Sequence, residues 1–134
     1  MATITKFDNF VQALAEKVHD LENDVLKVAL TNVAPASTNL VLSDITEVDY
    51  SHCSNRTITV LSSSQTNGVY SLACEDLTLT ASGGTVGPFR YIVFYNDSAV
   101  NDDLIGWADY GATITLNDND SFLLDFDTNL LTIQ

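Results

Sequence analysis

From Asn23 to Gln134 the apolar residues recur with a period of two, in short runs separated by turn signals. That rhythm leaves little choice of fold. "DVLKVALTN" has the makings of a strand half-buried on both sides, and Pro35 closes it within "VAPASTN". "LVLSDITEVDY" reads as one broken strand and "DYSHCSNR" as a polar loop. "RTITVLSS" and "VYSLACE" flank Asn67-Gly68, the strongest short hairpin signal. "DLTLTA" follows, with Leu77 and Leu79 on one face. "FRYIVFY" is the strongest strand of the chain. "LIGWADY" and "ATITLND" are expected as two strands joined near Gly111. "SFLLDFD" places Phe122, Leu124 and Phe126 on one face, and "LLTIQ" closes the chain after a tight turn at "DTN". With about eight to ten short strands and no second helical pattern, βαβ crossovers are excluded. The expected fold is mainly β, an antiparallel β-sandwich or jelly-roll-like domain with one N-terminal amphipathic helix.

That helix is carried by Phe7, Phe10, Val11, Leu14, Val18 and Leu21, which follow an i, i+3, i+4 stripe. Thr5 and Asp8 resemble a capping box, and the helix is expected from about Lys6 to about Glu22. A chain of 134 residues is the size of one domain. Residues 1–22 form its arm and helix, and residues 23–134 its sandwich.

Eighteen acids face five bases, a net charge of −13. The bases are Lys6, Lys17, Lys27, Arg56 and Arg90, and eight acids follow Arg90 without a Lys or Arg. Such a field repels nucleic acid and anionic membrane surfaces, so neither is expected as a partner. No apolar run reaches the ~18–20 residues of a membrane span. "MATITKFDNF" lacks a basic region followed by an apolar one, so export is not expected. Cys53 and Cys74 lack metal or redox spacing; reduced thiols are the default, and one bridge between them is the alternative.

No catalytic constellation stands out. His19 falls on the helix beside the apolar stripe, and His52 adjoins Cys53 in a loop, where adjacent side chains diverge in extended backbone. "NDND" (117–120) and "DFDTN" (125–129) could offer carboxylates to Ca²⁺, yet Asp and Asn are also the favoured turn residues. The sequons at Asn55, Asn96 and Asn119 read as chance matches. Trp107 and Tyr110, with Asp103 and Asp109, could build a sugar-stacking platform or simply pack. The glycines of "SGGTVGPFRYIVFYND" precede a strand, not the helix that a phosphate cradle requires. Strict alternation would put Phe89, Tyr91, Val93 and Tyr95 on one face and Arg90, Ile92 and Phe94 on the other, with Arg90 paired to an acid or a loop carbonyl at the strand's mouth. No catalytic, cofactor-binding or metal-binding residue is assigned. Lys6, Phe7, Phe10, Arg90, Trp107 and Tyr110 are the candidates for an interface or a structural role.

"KVALTNVAP" after the helix, then "DITEV", "TASGGTVGPFRYIVFYND", "LIGWADYGATITLNDNDSF" and "FDTNLLTI", resembles a family of small structural proteins of tailed bacteriophages. The resemblance spans nearly the whole chain and is most specific from Thr80 to Phe126. It departs at "DYSHCSNR", where a Gly-rich insert is expected, so Cys53 lies outside it. The resemblance implies a non-enzymatic capsid decoration (cement) protein on the virion surface, made in the host cytoplasm. Its implied partner is the major capsid protein, and self-association as a trimer is expected. A tail or head–tail component is the nearest alternative, and a carbohydrate-binding β-sandwich module a more distant one. Decoration proteins often anchor through extended ends, which makes "MATIT" a candidate anchor.

Overall fold

The structure, a computed structural model, describes residues 4–134. Three residues of "MATIT" therefore lie outside the described residues. The element order is β1 (Thr5–Lys6), α1 (Phe10–Ala15), β2 (Leu26–Thr31), a 3₁₀ turn at Leu42–Asp44, β3 (Thr57–Ile58), β4 (Val60–Thr66), β5 (Val69–Cys74), β6 (Leu77–Thr80), β7 (Val86–Asn96), β8 (Leu104–Leu116), β9 (Ser121–Leu124) and β10 (Leu131–Ile133). All pairings are antiparallel. The fold is mainly β and sandwich-like, with one short helix.

A five-stranded sheet runs in the order β1-β8-β7-β2-β3. A three-stranded sheet, β10-β5-β4, and a two-stranded sheet, β6-β9, complete the described strands. Leu26, Val28, Leu30, Ile92, Phe94, Ile105 and Ala108 of the large sheet share one core with Leu72, Leu79, Leu124, Phe126, Leu130 and Leu131. The opposite face of the large sheet is apolar as well. Ala29, Val93, Tyr95 and Leu104 pack there with Phe7 and Ile45. A strand covered on both sides needs apolar residues at successive positions, which explains the runs "VAL" and "IVFY". The Asn67-Gly68 hairpin forms as expected between β4 and β5, with φ of 52° and 82°.

Four local expectations need correction. Helix α1 covers only Phe10–Ala15, not Lys6–Glu22. Thr5 and Lys6 instead pair with Trp107 and Gly106, so the arm is an edge of the large sheet. The helix ends because Lys17 adopts φ 67°, while Val18 N–H donates to Ala13 O (2.9 Å) and Lys17 N–H to Leu14 O (3.4 Å). This is a Schellman closure with Lys in the position usually held by Gly. His19 thus lies beyond the helix. Secondly, β8 is one strand of 13 residues that passes through Gly111, not two strands.

Thirdly, the register of β7 against β8 shifts between Phe89 and Tyr91. The bulge puts Phe89 into the same core as Ile92 and Phe94, whereas strict alternation assigns it to the other face. Gly87 sits just before it with φ 115°, and a Cβ there would lie 2.8 Å from the backbone oxygen of Ile114. Only glycine meets both conditions. The segment "LVLSDITEVDY" forms no strand; it is a 3₁₀ turn and loop, held to the start of β8 by the Val41–Asp103 bridge just before it and by Leu104 N–H donating to Leu40 O. Among the described residues no helix is long and apolar enough to cross a membrane.

Candidate functional site

Two of the six candidate residues are not on the surface at all. Phe7 and Phe10 are each 1% exposed, because the stripe they head closes onto the domain's own core. Trp107 is half-buried against Phe7, with ring centroids 4.6 Å apart. Lys6 is exposed and donates from Nζ to Thr132 O at 3.3 Å. Tyr110 is 52% exposed and meets Phe122 edge-on at 5.1 Å. Trp107 belongs to the Phe7 side of the large sheet, and Tyr110, through Phe122, to the main-core side. The two rings therefore do not form one stacking platform.

Arg90 and Asp109 face each other across β7 and β8 as a two-pronged ion pair. Arg90 Nε donates to Asp109 Oδ1 at 2.8 Å and Nη2 to Oδ2 at 3.0 Å. Asp109 Oδ1 also accepts Gly111 N–H at 2.7 Å. The Arg90 bond, with that amide, holds the Asp109 carboxyl below the usual range, and the same bond raises Arg90. Beside this pair a cavity of about 300 Å³ is lined by Ile92, Asp109, Tyr110, Phe122, Leu123 and Asp125, among others. Leu123 is 57% exposed. An aromatic ring, an exposed leucine and flanking carboxylates make this cavity a candidate contact surface.

Elsewhere, Arg56, Tyr50 and the two cysteines are committed to the fold. Arg56 donates from Nη1 to Val28 O at 2.6 Å and lies 3.6 Å over the Tyr50 ring. Tyr50 Oη accepts Leu30 N–H at 2.9 Å and donates to Glu47 at 2.8 Å. Burial raises its pKa. Together these bonds strap the loop after the 3₁₀ turn onto β2. Cys74 is buried and Cys53 half-buried, both as free thiols. Burial pushes Cys74 up to about 11 and raises Cys53, which disfavours the nucleophilic thiolate.

A polar cluster that sequence reading missed joins His19, Asp24 and Asn96. Asn96 is fully buried, and its Oδ1 accepts the N–H groups of Ser98 (2.9 Å) and Ala99 (3.2 Å). Its Nδ2 donates to Asp24 Oδ2 at 2.7 Å and lies 3.1 Å from His19 Nδ1. Since the amide nitrogen can only donate, His19 Nδ1 accepts and the ring proton sits on Nε2. That Nε2 is buried without a hydrogen-bond partner. Burial lowers the His19 pKa, opposed by the negative charges of Asp103 and Asp24. An Asn followed by Asp-Ser is an Asx-turn signal, and that was the available clue.

The acidic turns serve the backbone. Asp120 Oδ2 accepts Asn117 N–H, Asp125 Oδ1 accepts Asp127 N–H, and Asp118 Oδ1 accepts Gly83 N–H, at 2.8–2.9 Å. Among the described residues no group of three or more His, Cys, Asp or Glu is placed to hold a metal ion. His52 lies over Gly84, where a Cβ would come within 2.5 Å of its ring, so the "SGG" glycines make room for a histidine.

Comparison with protein-family models, with curated proteins and with solved structures finds no match to this chain. The likeness to phage structural proteins therefore rests on the sequence segments quoted above.

Proposed function

We propose that this chain is a non-enzymatic structural protein of a tailed bacteriophage particle, which decorates the capsid and binds the major capsid protein. The observation that carries this reading is how the polar side chains are used. Arg56, Tyr50, His19, Asn96 and the turn aspartates all hold backbone or one another. What faces outward is an acidic surface interrupted by the Tyr110–Leu123 cavity, whose Asp109 wall is held by Arg90. A body whose polar side chains serve the fold and which offers an outward contact surface suits a protein bound in many copies to a repeating lattice, where weak contacts act together. Trp107 and Tyr110 lie on opposite sheet faces, which disfavours the carbohydrate-module alternative.

The test is reconstitution. Particles lacking the protein are mixed with recombinant chain, purified and imaged. Decoration predicts a fixed ratio to the major capsid protein and density on the head, reduced by Leu123→Asp. Density confined to the tail would replace this reading with the tail alternative, and failure to bind any part of the particle would end it.

A further inference from the structure

The free edge of β4 is long and carries neither charge nor proline. Edge strands expose unpaired N–H and C=O groups and are normally blunted by shortness, charge, proline or cover. Here β1 and β3 have two residues each. Strand β10 has three, and Lys6 Nζ covers the Thr132 carbonyl. Strand β9 has four and lies between Asp120 and Asp125. The outer side of β6 is occupied by Ser54, whose N–H donates to Thr80 O at 3.0 Å. Beyond Trp107, β8 carries Asp109 and turns left-handed at Gly111.

By contrast, β4 has seven residues, "VLSSSQT", and pairs only with β5. It holds no charge and no proline, and residues 57–74 as a whole carry no charged side chain in a chain of net charge −13. The one irregularity falls between Val60 and Ser62. From Ser62 to Thr66 the strand pairs regularly with 69–73, so five residues present a regular outer edge. Leu61 is 61% exposed beside it.

We infer that the β4 edge joins a second copy of this chain, β4 against β4 in antiparallel register, to make one continuous six-stranded sheet from two three-stranded ones. Two considerations select a second copy as the occupant. The first is electrostatic: two chains of −13 repel, and β4 itself brings no charge to the seam, although Asp20 and Glu22 lie near Ser63 and Tyr70 behind it. The second is symmetry. An antiparallel edge pairs with itself about a twofold axis, and Ser, Gln and Thr side chains can both donate and accept across it. The association is thus a twofold dimer, not the trimer implied by the phage resemblance. It does not depend on capsid binding, since both partners are the same chain.

Charge reversal on the edge tests it. Side chains facing each other across an antiparallel pair interact, and like charges there destabilise it. Analytical ultracentrifugation of the wild type is expected to give twice the monomer mass of 14.6 kDa. One strand pair is a small interface, so a dissociation constant on the order of 10 µM is expected. Ser64→Glu should sediment as a monomer, with a melting temperature equal to that of the wild type at concentrations well below the dissociation constant. An equimolar mixture of Ser64→Glu and Ser64→Lys should recover the dimer. A wild type that stays monomeric at roughly ten times that concentration, a Ser64→Glu variant that dimerises like the wild type, or a mixture that stays monomeric overturns the inference.

Discussion

Asn96→Ala should be the most damaging single polar substitution in this protein. Asn96 has no exposed surface and takes part in four polar contacts, to His19, Asp24, Ser98 and Ala99. Truncation leaves His19 Nδ1 buried without its donor, and His19 Nε2 already lacks a partner. An orphaned buried group costs about 1–3 kcal/mol, and loss of the bonds that close the 96–99 turn adds about 1. Asp24, Ser98 and Ala99 are closer to solvent and recover bonds with water, so the expected total is about 3 kcal/mol. For a domain of this size that corresponds to a fall in Tm of roughly 10 °C. Asn96→Asp separates volume from donation. It keeps the acceptor oxygen but puts a second carboxylate against Asp24, so it should be at least as damaging at pH 7 and recover as the pH falls and one carboxyl protonates. Val100→Ala, at a side chain 99% exposed, is the control and should stay within about 0.5 kcal/mol. Calorimetry reads all three. An Asn96→Ala melting temperature within about 2 °C of wild type would show that the cluster contributes little, and the assignment of His19 as an acceptor would fall with it.

Stability should fall as the pH drops below 6.5, the ordinary imidazole value, because burial depresses the His19 pKa and the unfolded chain then binds the extra proton. The effect grows as the pH approaches the folded value, and His19→Gln should flatten it; urea midpoints at stepped pH give the comparison. The depressed carboxyls of Asp20, Asp44, Asp49 and Asp109 act in a separate window, below their ordinary 3.8. Gly87→Ala should cost about 3 kcal/mol, since it meets both a left-handed φ and a backbone oxygen, whereas Gly84→Ala meets only a His52 ring on a loop and should cost under about 1. Equal losses in chemical denaturation would contradict the distinction. Arg90→Ala should lower Tm slightly and weaken particle binding, because the pair with Asp109 is largely solvated but positions the Asp109 carboxylate that lines the Tyr110 cavity; unchanged melting and unchanged binding would remove Arg90 from both roles.

How much of this was legible in the sequence varied with the range of the forces involved. The Asn67-Gly68 hairpin was legible because a two-residue turn needs positive φ at both positions and those residues supply it. The alternation of Phe122, Leu124 and Phe126 was legible because only one face of that segment meets the core. Helix α1 was overextended because its stop is a Lys in the left-handed region, selected by the closure at Ala13 and Leu14 and not by residue type. The Phe89 bulge was invisible because it belongs to the pairing with β8, although Gly87 marked the place.

The candidate site failed on a different point. A periodic apolar stripe states that something covers it, and not what. Phe7 and Phe10 could have met a neighbouring subunit; they meet the chain's own core, on either side of the large sheet. The same physics favours β4 over that stripe as the place where another copy joins. Apolar side chains near a chain's own core are used up in folding, because burying them locally costs no translational entropy. Backbone groups on a terminal strand cannot be satisfied that way once the sheet has ended, so they remain to be paired from outside or solvated. In a chain this acidic, an edge left without charge keeps that outside pairing open to a copy of itself.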